Sequence, residues 1–405
     1  HGYSHGYGRH EPFIGTFHSF GARVLRAEHR FLDRSPRFVI FDDDDSFSLV
    51  KKIHKSRAIA AKTISPSFLA DVISKIKNGM LNAQDLREDD ASRAEIALDV
   101  FREYEDALKR NNAFDFDDLI QKMVLLFAEH PEALAKYARK YPHVLVDEYQ
   151  DVNHMQYELV KILTRGQKEN GGSLSVVGDD QQMIYSWRGS HIDIFLNFEN
   201  DWPGARTVLL EENYRSTAHI ITAASAVVGN NLRQKPKTLW TKNAEGESIR
   251  VLEAGSEEEE AEWIAGQIAK CIVQRAGDLP FALCPSPSIA ILYRTNAQSR
   301  AIEQALLARE IPYRIFGGIR FYERKEIKDA VAAIRYAWNP KDELAAERLE
   351  KTFRKSGFSG LQARLAPHAN LPPAELIGHF LEATGYFRYL EKNFRNPAER
   401  QENIA

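Results

Sequence analysis

The chain of 405 residues carries only two cysteines, Cys271 and Cys284. Two cysteines cannot build a disulfide framework, and their spacing matches no metal-ligating pattern, so a reducing cytoplasm is the expected setting. Long apolar runs are also lacking. No stretch approaches the roughly 20 residues a membrane span needs, and no secretory signal is recognisable, so no membrane partner is expected. There is no excess of positive charge either. Lys plus Arg is 54 against 57 for Asp plus Glu, a net −3, so any contact with nucleic acid has to come from a local patch. Finally, the phosphate-cradling loop Gly-x-x-x-x-Gly-Lys-Ser/Thr occurs nowhere in the sequence.

What is present is an ordinary globular composition, 43% hydrophobic and 27% charged, long enough for two to four domains with cores of their own. The most informative segment is His143-Val-Leu-Val-Asp-Glu-Tyr-Gln-Asp151. A short apolar run ending in an acidic pair predicts a buried parallel strand that delivers Asp147 and Glu148 to its carboxyl end, where open α/β sheets bind ligands. A carboxylate pair placed there can hold the Mg²⁺ of a nucleoside triphosphate and orient the attacking water. A second run, Leu174 to Val177, turns at Gly178-Asp179 and leads to Tyr185, Trp187 and Arg188. Those side chains suit stacking on bases and gripping phosphate. A nucleotide site beside a single-strand site is the pattern of a motor.

Along the chain, Phe13 to Thr16 predicts a short strand entering a helix from Ser19 to His29. Residues 37–112 are expected to form a helical insertion. Asp42 to Asp45 start one of its helices, Ser65-Pro66 opens another that stops at Asn78-Gly79, and a third spans Glu95 to Arg110. From 114 to 210 helices alternate with strands at 143–147, 173–178 and 206–210, which implies a parallel sheet wrapped by helices. Ser256 with Glu259 is a capping box for a helix carrying Trp263, Ile264 and Ile268. Runs at 288–293 and 313–316 predict further strands on either side of a helix from Ser299 to Arg309. Beyond Asn339-Pro340 only one helix-like stretch, ending near Tyr389, is evident.

Five ordered segments, Ile14–Phe20, Val146–Asn153, Gly178–Gly189, Leu210–Ser216 and Ile311–Asp329, resemble successive motifs of superfamily-1 DNA helicases of the UvrD/PcrA/Rep type. The resemblance implies two RecA-like, parallel-sheet α/β domains of the P-loop NTPase class with a helical insertion. Residues 1–36 and 113–210 would form the first domain and 37–112 the insertion. Residues 211–345 would begin the second domain, and 346–405 would start, or shorten, its own helical insertion. It also implies ATP and Mg²⁺ as cofactors, with single-stranded DNA and single-strand/duplex junctions as partners. Repair or replication proteins would be further partners, and movement would run 3′ to 5′. By the same resemblance Asp147 would hold Mg²⁺ and Glu148 would position or deprotonate the hydrolytic water. Gln150 would help sense the γ-phosphate and Gln182 would contact it. Tyr214 would stack on adenine, and Arg215 would act as an arginine finger. Thr16, Phe17 and His18 would meet the DNA along with Tyr185, Trp187 and Arg188. Two positions depart from the family pattern, Gln181 where Asp is usual and Met183 where Ser is usual, and the former removes a charge beside Gln182.

In the family the phosphate loop precedes the Thr-Phe-His motif and a second arginine contact follows the last segment matched here. The sequence is therefore expected to be an internal fragment, unable by itself to hydrolyse ATP at a useful rate. Two alternatives stand beside the helicase: an ATPase-silent DNA-binding module, and the helicase part of a helicase–nuclease.

Overall fold

The computed structural model describes residues 12–60, 63–82, 84–86, 91–165, 171–184, 186, 189–276, 289–316, 324–394 and 397–404. The chain divides into two compact units. One comprises His1–Leu209, Asn231–Pro236 and Tyr322–Ala405; the other comprises Leu210–Asn230 and Lys237–Phe321.

The first unit starts with helix α1, Phe17–Ala27, capped by the Thr16 hydroxyl, which accepts the Ser19 N–H at 3.1 Å. Residues 13–16 form no strand, contrary to expectation. Thr16 is committed to the cap, and the Phe13 ring packs on Phe20 with centroids 5.3 Å apart. The segment 37–112, expected to be a helical insertion, opens with strand β1, Val39–Phe41, and continues with helices α2, Asp43–Ser56, α3, Pro66–Lys77, and α4, Ala91–Arg110. The acidic run at its start is a capping box: Asp42 accepts the Asp45 N–H at 2.8 Å and the Asp45 carboxylate reaches back to the Asp42 N–H. Leu49, Ile53, Leu69, Val72 and Val100 form its core. The insertion is not purely helical, because β1 pairs in parallel with β2, Ala113–Asp115, in the register Val39↔Ala113 to Phe41↔Asp115. Three-residue strands leave too little periodicity to be seen in a sequence.

After β2 come α5, Phe116–Glu129, and α6, Pro131–Lys140. Helix α1 lies against α5 so closely that a Cβ on Gly21 would stand 2.2 Å from the Leu119 carbonyl oxygen. Gly21→Ala is therefore expected to push the helices apart at a cost of about 1–3 kcal/mol. A lower urea-unfolding midpoint would show it; an unchanged midpoint would contradict the close approach.

Where α3, α4 and α5 meet, Lys77 is 0% exposed and its ammonium lies 2.7 Å from Glu105, 2.7 Å from Asp115 and 2.9 Å from Asp118. The Tyr104 hydroxyl donates to Asp115 at 2.9 Å, and Lys122 pairs with Glu105 at 2.7 Å. Burial by itself would lower the Lys77 pKa, but the three carboxylates overcome this and hold it well above its usual value. Asp118 is pushed up to about 7, first by burial and then by Asp115.

Strand β3, His143–Val146, pairs in parallel with β4, Ser173–Val176, from His143↔Ser173 to Val146↔Val176. Helix α7, His154–Thr164, lies between them in sequence, and α8, Ile192–Leu196, and α9, Phe198–Asp201, follow. Val144, Val146, Leu174 and Val176 face a small core with Tyr149, Tyr157, Phe195 and Phe198. The strand is buried on that face only: Leu145, on the other, is 80% exposed. Full burial, expected from the apolar run, is not what the structure shows.

In the second unit, helices α10, Ala218–Val228, α11, Glu257–Ala276, and α12, Ser299–Ala308, are present. The capping box at α11 is formed, with Ser256 accepting the Glu259 N–H at 3.2 Å and Glu259 accepting the Gly255 N–H at 2.8 Å. No strand appears at 206–210, 289–293 or 313–316. Among the described residues of this unit only an isolated parallel bridge joins Glu212 to Trp240. A strand exists through the neighbour it bonds to; Leu210, Leu292 and Phe316 are 77, 89 and 84% exposed, and no strand among the described residues pairs with their runs.

Residues past 324 return to the first unit as a helical bundle: α13, Lys325–Trp338, α14, Glu343–Phe358, α15, Leu361–Leu365, α16, Pro373–Thr384, α17, Tyr386–Asn393, and α18, Pro397–Glu402. This replaces the single helix-like stretch expected there. Gly360 and Gly385, at φ 73° and 62°, turn the chain between helices too short to show a clear period. Leu349, Leu361, Phe380, Tyr386 and Leu390 fill the core. The bundle is tied to the insertion by the buried Asn339, whose amide donates to the Asn111 carbonyl at 2.7 Å, and by the Glu343 N–H, which donates to the Asn111 side chain at 2.8 Å. Among the described residues no helix is long and apolar enough to cross a membrane.

Candidate functional site

The carboxyl ends of β3 and β4 carry the acidic pair and the segment that follows Gly178. Beyond Val146 the ladder continues through two backbone bonds, Val177 N–H to the Val146 carbonyl at 2.8 Å and Tyr149 N–H to the Val177 carbonyl at 2.9 Å. Between them the chain turns sharply. Glu148 adopts φ 49°, ψ 44°, in the left-handed region, a conformation costing about 1 kcal/mol or more for a residue with a side chain. Local hydrogen bonds offset it: the Glu148 N–H donates to the Asp147 carboxylate at 3.0 Å, and the Gln150 amide donates to the Glu148 carboxylate at 2.7 Å. The strained turn leaves Asp147 and Glu148 exposed at the strand end, available to a ligand.

Gln150 lies behind them, 2% exposed. Its carbonyl oxygen accepts the Asp179 N–H at 3.0 Å. Gly178 makes room for this, since a Cβ there would stand 2.5 Å from that oxygen and 2.8 Å from the Phe195 ring. The Asp179 carboxylate in turn accepts the Gln181 N–H at 3.0 Å and the Gln182 amide at 2.7 Å. Gln181, the departure from the family pattern, bonds the Gln234 amide at 2.6 Å, while Asp180 accepts the Lys235 N–H at 2.8 Å. Together they fasten the 231–236 segment to this unit.

Two residues of the site escaped the reading of the sequence. Asp179 looked like a turn marker, yet its N–H holds Gln150 and its carboxylate holds Gln181 and Gln182. Asp151 has one buried oxygen without a hydrogen-bond partner, and its pKa is raised by burial and then by the nearby Glu148 charge. The third carboxyl of Asp-Glu-Tyr-Gln-Asp was the signal that could have found it.

A cavity of about 400 Å³ brings Thr16, Phe17 and His18 together with Val144, Val146 and Asp147. His18 is half-buried and meets the Phe116 ring edge-on at 6.0 Å. Burial lowers its pKa, opposed in part by Asp117, so its ring is neutral near pH 7 and suited to hydrogen bonding rather than charge pairing. Phe17 is partly buried between two cores. Tyr185, Trp187 and Arg188 lie outside the described residues, as do Arg320 and Phe321 of the matched segment Ile311–Asp329. Gly189 has φ 85°, and Ser190 bridges to Asn153. Tyr214 and Arg215 belong to the second unit. There the Tyr214 hydroxyl donates to Glu212 at 3.0 Å and the Asn213 side chain accepts the Arg215 N–H at 3.0 Å.

Among the described residues no cluster of three or more His, Cys, Asp or Glu could hold a metal. Two exposed carboxylates fit a different need: a hard cation such as Mg²⁺ that takes one or two protein oxygens and completes its shell with water and phosphate.

Residues 5–203 match the UvrD/REP helicase N-terminal domain, and residues 208–368 match the UvrD-like helicase C-terminal domain. The chain is 40% identical over 338 residues to the ATP-dependent DNA helicase PcrA of Staphylococcus epidermidis strain ATCC 35984, covering 83% of this chain and 45% of that protein. Identity and coverage are the same for the ATP-dependent DNA helicase PcrA of Staphylococcus aureus strain Mu50. The chain thus spans about half the length of the curated relatives it matches.

Proposed function

We propose that this chain, which belongs to the UvrD/Rep helicase family, works in an ATP-driven motor that moves 3′ to 5′ along single-stranded DNA and separates duplexes at junctions. The observation that carries this is the strand-end site: Asp147 and Glu148 are exposed, and Glu148 is hydrogen-bonded through Gln150 to the turn that bears Gln182. RecA-like architecture for both motor domains, with residues 37–112 as the insertion of the first, belongs to the same proposal. So does action in the cytoplasm, on DNA under repair or replication.

In this mechanism Glu148 takes the proton of the attacking water, and its carboxylate is already oriented by the Gln150 amide. Asp147 would hold Mg²⁺, which would supply neutralisation of phosphate charge with ATP bound. Gln182 contacts the γ-phosphate, so its bond to Asp179 reports the nucleotide state to the strand ends. Arg215 and Tyr214 are assigned the arginine-finger and adenine-stacking roles. Thr16, Phe17, His18, Tyr185, Trp187 and Arg188 are assigned to the DNA, where each stacked base contributes about 1–3 kcal/mol regardless of sequence. ATP and ADP differ in affinity for two packed arrangements, and that difference drives each step.

Strand displacement by the protein made from its complete coding sequence tests this. A duplex with a 3′ single-stranded tail is expected to be unwound with ATP, and one with a 5′ tail to be left intact. Binding of both without ATP-dependent displacement would contradict the proposal.

A further inference from the structure

Four groups at the ends of β3 and β4 form one continuous hydrogen-bond chain: the Glu148 carboxylate, the Gln150 amide, the Asp179 backbone and carboxylate, and the Gln182 amide. The successive bonds are 2.7, 3.0 and 2.7 Å. The orientation of the Gln150 amide follows from its neighbours. An N–H from Asp179 requires the carbonyl oxygen, which leaves the NH₂ for the Glu148 carboxylate; a flipped amide would set donor against donor and acceptor against acceptor. Gln150 is also 2% exposed, so its groups face protein rather than solvent, and Gly178 is the residue that lets the chain close over it. The Glu148 backbone, held in the left-handed region, needs such restraint to keep its carboxylate in one place.

We propose that Gln150 is a positioning residue, which fixes the Glu148 carboxylate for water activation and makes its placement depend on whether Gln182 is bonded to Asp179 or to nucleotide. This deepens the role of Gln150 from a contact with phosphate to an act through Glu148, and it rests on Glu148 being the water-activating group. When Gln182 turns toward the γ-phosphate, Asp179 loses a donor from its carboxylate. The shift passes along the Asp179 N–H to Gln150 and from there to Glu148. Nucleotide arrival and base alignment then become one event.

The test uses the protein made from its complete coding sequence, with single-stranded DNA and ATP. Gln150→Met keeps length and bulk but removes both hydrogen-bonding groups. A hydrogen bond to a charged partner of this kind corresponds to about 10- to 100-fold in rate. The expected result is a fall in kcat of that order with KM for ATP changed less than about twofold. In a Glu148→Gln background, single-turnover rates should show no further loss from Gln150→Met, because no base remains to be positioned. A purely structural Gln150 would lower both backgrounds alike, and that outcome overturns the proposal. Gln150→Glu, which keeps the acceptor for Asp179 but sets a carboxylate against Glu148, serves if Gln150→Met does not fold; wild-type kcat in either variant also overturns it. If Glu148→Gln alone turns over at the wild-type rate, the assignment of the base fails instead, which separates the two failures.

Discussion

A Glu148→Gln substitution in the protein made from its complete coding sequence is expected to lower DNA-stimulated ATP turnover by about 100- to 10,000-fold, the range that a positioned general base contributes. The two side chains are nearly the same size, and the Gln150 amide can bond to the new carbonyl oxygen as it does to the carboxylate. The strained turn therefore survives, and ATP affinity should change little. What disappears is the capacity to take a proton from water. Rapid-quench measurement of the hydrolysis step, alongside equilibrium binding of a fluorescent ATP analogue, separates the two quantities. Near wild-type turnover would mean that another group performs the proton transfer.

The second large effect concerns folding. Lys77→Met leaves Asp115, Asp118 and Glu105 facing one another without their buried cation. Removing one partner of a buried ion pair costs about 3–5 kcal/mol, and Lys122, 2.7 Å from Glu105 and 3.6 Å from Asp118, compensates only part of the charge left behind. The pH dependence has a definite sign. Asp118 is pushed up to about 7 from its usual 3.8, so between those values the folded chain holds a proton that the unfolded chain has released. Its contribution favours folding fully below the unfolded value and is lost as pH rises through about 7. Without Lys77 the carboxyls repel more strongly and hold protons more tightly, so the variant should recover on acidification. Urea-unfolding midpoints at pH 8 and pH 5.5 check this. The gap between wild type and variant should be wide at the higher pH and narrower at the lower. A gap independent of pH would contradict the electrostatic account and leave lost packing as the cause.

Parts of this structure were visible in the sequence because local chemistry decided them. The apolar run 143–146 ending in Asp147-Glu148 had to be a strand end, and Ser65-Pro66, Asn78-Gly79 and the Ser256/Glu259 box mark helix ends by hydrogen bonds made within a few residues. What stayed hidden was decided at long range. The β1–β2 pair joins Val39 to Ala113 through three-residue strands with no period of their own. The runs at 206–210 and 313–316 have strand composition, yet composition does not supply a partner. The C-terminal bundle is built from short helices, and its contact with the insertion rests on Asn339 and Asn111, residues unremarkable in sequence. Gln150 shows the same limit within the site. Its position beside the acidic pair was plain, but only the geometry shows that both ends of its amide are taken, by Glu148 and Asp179. The Gln181 departure, whose effect could not be read from sequence, becomes a tie to Gln234.

The most direct test of the central claim is the steady-state rate of ATP hydrolysis by the protein made from its complete coding sequence, with and without single-stranded DNA. If the strand-end site is the engine of a DNA motor, single-stranded DNA raises kcat by an order of magnitude or more, and Glu148→Gln abolishes the stimulated rate. ATP turnover that is indifferent to DNA, or DNA binding with no turnover, would contradict the account.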